Sequence, residues 1–114
     1  RGFSLGGALA ARLGAGVVMA RTPGKLPAET IEETYAKEYG TDCIQIHKDA
    51  IDENDVVLLH DDLLATGGTM AAAYRLVQKC GAKKSLINFV IELDGLNGRN
   101  AFPKDVEIET LLKL

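Results

Sequence analysis

The chain has 114 residues, 46% of them hydrophobic and 25% charged, with 12 glycines, 3 prolines and 2 cysteines. That is the balance of a soluble globular protein, long enough for one domain and too short for two of ordinary size. A formal charge of −3 excludes the dense basic face that a nucleic-acid binder needs, and no apolar run approaches the ~20 residues of a membrane span.

Cys43 and Cys80 lie far apart without metal-ligand spacing. They read as reduced thiols of a cytoplasmic protein, and no signal-peptide pattern is visible. The chain opens at Arg1 rather than methionine and enters helix-like sequence almost at once, so N-terminal residues are expected to be missing. Leu5 to Leu13 (LGGALAARL) predicts a short helix entered through a glycine turn, although each internal glycine costs ~1 kcal/mol against alanine. Val17 to Ala20 is a compact apolar run and predicts a buried strand. From Thr22 to Gly40 (TPGKLPAETIEETYAKEYG) prolines, glycines and glutamates predict a long polar loop, and loops of that length are functional lids or disordered segments.

Thr41 to His47 alternates Cys43, Gln45 and His47 against Ile44 and Ile46, as a strand does. Paired with Val17 to Ala20, it would form a hairpin carrying the long loop at its tip. Asp52 to Asp55 reads as a polar turn. Val56 to Leu59 is a continuous apolar strand expected to end at His60, Asp61 and Asp62. Thr69 can cap a helix to about Cys80, with Met70, Ala73, Val77 and Cys80 on one face, and Gly81 stops it. Lys79, Lys83 and Lys84 then form a solvated end. Ser85 to Ile91 predicts another strand and Val106 to Leu112 a weaker one. Strands alternating with helices imply a mostly parallel α/β sheet.

Chemistry concentrates in VVLLHDDLLATGGT, from Val56 to Thr69. It sets two adjacent carboxylates at the carboxyl end of a strand, where open α/β sheets bind ligands. The turn Ala65-Thr66-Gly67-Gly68-Thr69 suits a phosphate. Its glycines let backbone amides converge, the next helix offers unpaired N–H groups and the positive end of its dipole, and the two threonines add hydroxyl donors. No lysine sits in the turn and GxxxxGK[ST] is absent, which excludes a Walker A loop. Taken singly, the acidic pair could merely cap a turn and the glycines merely connect strand to helix. Together they describe a phosphate cradle beside carboxylates that can hold sugar hydroxyls and stabilise positive charge on a ribose ring.

This stretch is similar to the signature with which type I phosphoribosyltransferases bind 5-phosphoribosyl 1-diphosphate (PRPP). The form DDLLATGGTM resembles adenine phosphoribosyltransferases in particular. RGF at Arg1 to Phe3, PGKLPAET at Pro23 to Thr30, EYGTD at Glu38 to Asp42, HKDAI at His47 to Ile51 and IELDGLNGR at Ile91 to Arg99 extend the likeness across nearly the whole chain.

The resemblance implies one phosphoribosyltransferase domain over residues 1–114: a mostly parallel twisted sheet flanked by helices, with a long mobile lid at about 22–40. It implies that the purine-binding hood precedes the chain, and that adenine and PRPP give AMP and pyrophosphate. Ala65, Thr66, Gly67, Gly68 and Thr69 would hold the 5′-phosphate, with Asp61 and Asp62 on the ribose hydroxyls. Arg1, Arg21 and Lys25 would contact pyrophosphate. Glu38, Arg1 and Asp61 would be the catalytic residues, with Glu38 acting from the lid. Tyr39 would either lie near the reaction or anchor the hinge. Mg²⁺ would arrive with PRPP rather than on protein ligands, and the protein would be a cytoplasmic homodimer.

Three positions depart from the family pattern. His60 replaces an aliphatic residue and should point away from Asp61, satisfied by a backbone carbonyl. Thr22 replaces a basic residue, and Gly6-Gly7 a glycine-proline pair. Two other functions fit the same residues: a non-catalytic PRPP-sensing regulator, and a transferase for another base.

Overall fold

The structure is a computed structural model that describes residues 2–36 and 39–114, with Ser4 described in its backbone only. In chain order it contains helix α1 (Phe3–Leu13), strands β1 (Thr30–Ala36), β2 (Thr41–His47) and β3 (Val56–Leu64), helix α2 (Gly68–Lys79), strand β4 (Lys84–Glu92), a 3₁₀ turn (Gly98–Ala101) and strand β5 (Ile108–Lys113). β3, β4 and β5 form a parallel sheet in that order, and β1 and β2 form a separate antiparallel pair. The parallel sheet with crossover helix is the α/β arrangement that the alternating pattern implies.

Helix α2 lies between the two sheets. Its buried residues Met70, Ala71, Ala72, Ala73, Leu76 and Val77 join one core with Ile44 and Ile46 of the hairpin and Leu59, Ile87 and Phe89 of the parallel sheet. Packing on both sides widens the apolar arc beyond the expected stripe. Three consecutive alanines let both sheets approach the helix closely, and Cys80 ends half-buried.

Four expectations need correction. The run Val17 to Ala20 forms no strand; Val17 is 59% exposed, and the segment's only bridge is Arg21 with Gln45 at its end. Arg21 and Gln45 exchange both backbone hydrogen bonds on the edge of β2, but the pairing does not run back into 17–20, and apolar composition without continued ladder partners does not make a strand.

The hairpin partner of β2 is instead β1, inside the stretch expected to be loop. There Ile31, Glu33 and Tyr35 turn toward α2 while Glu32, Thr34 and Ala36 face solvent. This period of two was present in TIEETYA, hidden among charges. Among the described residues, the irregular part of the expected lid therefore shrinks to the segment before Thr30 and to residues 39–40.

β3 does not end at Leu59 but runs to Leu64, because β4 continues to offer a parallel partner: His60 sits opposite Asn88 and Leu63 opposite Ile91. Finally, α2 starts at Gly68 behind a left-handed Gly67, with no side-chain cap from Thr69.

The hairpin is held on α2 by charge as well as by apolar packing. Lys79 Nζ lies 2.5 Å from Glu33 Oε2, Arg75 Nε donates to Glu33 Oε1 at 3.0 Å, and Arg75 also reaches the Thr34 carbonyl at 3.3 Å. Lys79 and then Arg75 hold the Glu33 carboxyl below its usual pKa of 4.5. A lowered carboxyl contributes stability that is present above its ordinary value and lost as pH falls through the folded one. Glu33→Gln should therefore lower stability at pH 7 by about 0.5–1 kcal/mol, less in high salt, and have no comparable effect at pH 2. Urea midpoints at the two pH values check this; equal losses at both would contradict it.

Candidate functional site

The site is built where β3 hands over to α2. Asp61, Leu63, the turn 65–69 and Phe89 line a cleft of about 140 Å³. Phe89 is the register partner of Asp61 on β4, so the two side chains stand side by side on the same face of the sheet. Sequence reasoning missed Phe89 and Leu63 because the parallel register becomes legible only once β3 is known to extend past His60.

The turn reverses the chain at Gly67, whose φ of 87° is open to glycine and strained for other residues. Gly68, Thr69 and Met70 open the helix, and their N–H groups have no acceptor within it. Thr66 and Thr69 are exposed, so both hydroxyls are free to turn toward a ligand. No acidic residue occupies the first turn of α2, which leaves its positive end for an anion.

Within the strand, neighbouring side chains alternate faces. Asp61 faces the cleft together with Leu63, whereas Asp62 and His60 point to the opposite face of β3, and neither lines the cleft. Both acidic residues were expected beside the cradle; the extra ladder length separates them. Asp61 Oδ1 accepts the Asp62 backbone N–H at 2.9 Å. His60 points away from Asp61 as expected, but its partner is a side chain rather than a backbone carbonyl: Nδ1 lies 2.9 Å from Asn88 Oδ1.

The first turn of α1 abuts the same carboxylate. A side chain at Gly2 would meet Asp61 Oδ1 at 2.6 Å and the His60 carbonyl oxygen at 3.2 Å. Phe3 follows, and the Arg21 guanidinium carbon stands 5.4 Å from the centre of its ring. This stacking brings one of the three expected pyrophosphate residues to the α1 side of Asp61. Lys25 is exposed in the segment after Gly24 and does not line the cleft. Tyr39 is 84% exposed. Arg1 and Glu38 lie outside the described residues.

Among the described residues no three His, Cys, Asp or Glu side chains converge as a metal site, and no helix is long and apolar enough to cross a membrane. A larger hollow of about 460 Å³ lies between Val17, Met19, Leu26 and His47. Its lining is mostly apolar apart from His47 and Asp49 and lacks the converging amides of the turn, so chemistry and not size marks the smaller cleft as the site.

The candidate site is thus a glycine turn at the carboxyl end of a parallel strand, with a carboxylate facing it. The phosphoribosyl transferase domain model matches residues 1–105, and the chain belongs to that family. It is 82% identical over all 114 residues to the adenine phosphoribosyltransferase of Phocaeicola vulgatus, covering 66% of that protein, and 66% identical to that of Bacteroides thetaiotaomicron, covering 65%. The chain thus spans about two thirds of the length of these relatives. The solved adenine phosphoribosyltransferase of Rhodothermus marinus superposes with a TM-score of 0.96 at 52% identity, over 100% of this chain and 65% of that one. That of Saccharomyces cerevisiae, complexed with an imino-altritol bisphosphate and adenine, gives 0.92 at 47% identity, over 98% and 62%.

The two glycines of the cradle should respond differently to an added methyl group. At Gly67 it would sit 2.5 Å from the Gly98 carbonyl oxygen in a left-handed backbone, whereas at Gly68 it would meet Tyr35 Cδ2 at 3.4 Å and Ala36 O at 3.6 Å. Gly67→Ala should lower stability by about 2 kcal/mol or more, and Gly68→Ala by much less. Thermal denaturation of both variants checks the difference; equal losses would mean the turn is not constrained as described.

Proposed function

We propose that the protein is an adenine phosphoribosyltransferase, which transfers the 5-phosphoribosyl group of PRPP to adenine and releases AMP and pyrophosphate. The observation that carries the reading is the shared cleft, lined by both the glycine turn 65–69 and Asp61. The likeness to adenine phosphoribosyltransferases along the whole chain supports adenine as the base.

In this reading the amides of 66–69 and the hydroxyls of Thr66 and Thr69 take the 5′-phosphate. Asp61 accepts hydrogen bonds from the ribose hydroxyls and stabilises the positive charge that develops on the ring as the bond from the anomeric carbon to pyrophosphate breaks. A purine nitrogen forms the new bond to that carbon and gives up its proton to solvent or to the released pyrophosphate. Arg21, held by Phe3, with Arg1 and Lys25, offsets the charge on the departing pyrophosphate. Glu38 acts near the base, and Tyr39, its neighbour in sequence, beside it. No covalent intermediate is needed, so catalysis comes from positioning and charge stabilisation.

Asp62 is proposed as the second ribose contact, although it leaves β3 on the opposite face. Mg²⁺ enters with its substrate: a diphosphate and water supply the oxygen ligands that this hard cation prefers. The free thiols Cys43 and Cys80 support a reducing, cytoplasmic setting. The exposed Val17, Val18 and Met19 support burial against further protein, including a second copy in a homodimer.

The decisive assay mixes the full-length protein with PRPP, Mg²⁺ and adenine and follows AMP and pyrophosphate, with hypoxanthine, xanthine and orotate as competing bases. Asp61→Asn should lower kcat/KM by about a hundredfold. Asp62→Asn should show a smaller loss, carried mainly by KM for PRPP. PRPP binding without any AMP would point instead to a sensor on the same fold, and preference for another base would move the reading to a sister enzyme.

A further inference from the structure

The cradle turn has a back wall that the sequence pattern did not assign. The 97–101 segment presses its backbone directly onto the turn, so closely that a methyl group added at Gly98 would collide with the Ala65 carbonyl oxygen and lie 2.9 Å from Leu64 Cγ. From the other side, a methyl group at Gly67 would collide with the Gly98 carbonyl and meet Ala101 Cβ at 3.0 Å. The turn that holds the phosphate therefore takes its shape from a second loop, far along the chain.

That second loop is itself held by one ion pair. Glu92, the last residue of β4, is 6% exposed. Arg99 Nε donates to both of its carboxylate oxygens at 3.1 and 3.2 Å, and Nη2 donates to Oε1 at 3.1 Å. Arg99 Nη1 reaches the Ile108 carbonyl at 3.1 Å, and Thr110 Oγ1 donates to Glu92 Oε1 at 3.1 Å. One guanidinium thus bridges β4, β5 and the loop, while the adjoining residue Gly98 touches the cradle. A nearly buried carboxylate that loses its hydrogen-bonded cation is strongly unfavourable. Its planar, two-oxygen contact is one that a lysine cannot reproduce.

We propose that Glu92 and Arg99 are positioning residues for the phosphate cradle: their ion pair holds Gly98 against Ala65 and Gly67, and so fixes the amides that grip the 5′-phosphate. The proposal rests on the transferase reading only for the identity of the ligand. Phe102 offers a rival anchor for the loop, because it is buried and makes an edge-on contact of 6.5 Å with Tyr74 of α2. The rival predicts that the ion pair contributes stability alone.

The test uses the full-length protein as wild type, Arg99→Lys and Glu92→Gln, with Ile108→Val as a control that loosens β5 and leaves the pair in place. Hydrogen exchange is read at the turn through Ala71, whose N–H donates to the Gly67 carbonyl at 2.9 Å, and in the α2 interior at Leu76 and Val77, alongside Kd for ribose 5-phosphate and the kinetic constants. The proposal expects exchange at the turn to rise about tenfold in both pair variants while α2 stays protected. It also expects Kd for ribose 5-phosphate and KM for PRPP to rise about tenfold or more with kcat little changed. Ile108→Val should change none of these.

Turn exchange that stays at the wild-type level in Arg99→Lys, or that rises equally in Ile108→Val, would overturn the clamp. Turn exchange that rises in a protein making no AMP would uphold the clamp and overturn the enzyme reading instead.

Discussion

The backbone between β3 and α2 must reverse within a few residues and still leave its amide groups pointing into open space. One glycine with φ of 87° makes the reversal possible, and a second glycine across from it, at position 98, makes room for it. The rest of the site is arranged around this pair. β3 delivers Asp61 to the front of the turn, α2 carries its first N–H groups away from it, and the 97–101 segment closes its back. A methyl group at either glycine would meet backbone carbonyl oxygen, an atom that cannot rotate aside as a flexible side chain would.

The surrounding fold serves to hold that turn still. Parallel strands need a crossover to pair, and α2 is the crossover between β3 and β4. Its position is fixed on one side by the sheet and on the other by the hairpin, with Ala71 and Ala72 4% and 0% exposed between them. Helix placement is therefore set by close backbone approach as well as by apolar area. The Glu33 cluster adds electrostatic support at the carboxyl half of the helix, away from the anion-binding end. Charges of that kind contribute modestly at a surface, so alignment rests chiefly on the core.

Much of this was legible in the residues. The glycine turn, the helix after it, the strands β2 and β4 and the carboxylate at the cradle all followed from period, punctuation and chemistry. What failed did so for identifiable reasons. The run Val17 to Ala20 has strand composition, yet the edge of β2 pairs only with Arg21 just after it, a fact about tertiary structure that no local pattern contains. β1 has the correct alternation, yet the glutamates at 32 and 33 disguise it. One of them faces solvent, and the other finds Arg75 and Lys79 more than forty residues later. The continuation of β3 through His60 and Asp62 depends on Asn88 and the rest of β4 standing opposite. Polar residues in a strand are satisfied by partners that a reading of β3 alone cannot see. The same holds for Gly98, whose contact with Ala65 joins points far apart in the chain.

The central claim is that a sugar phosphate is gripped by the amides after β3, with Asp61 across the cleft. The most direct measurement is a titration of the isotope-labelled full-length protein with ribose 5-phosphate, followed by backbone amide shifts. The account predicts saturable shifts that are largest at Thr66, Gly67, Gly68 and Thr69, accompanied by Asp61 and leaving the hollow around Val17 and His47 unchanged. Shifts centred on that hollow, or a turn that does not respond at saturating ligand, would contradict it.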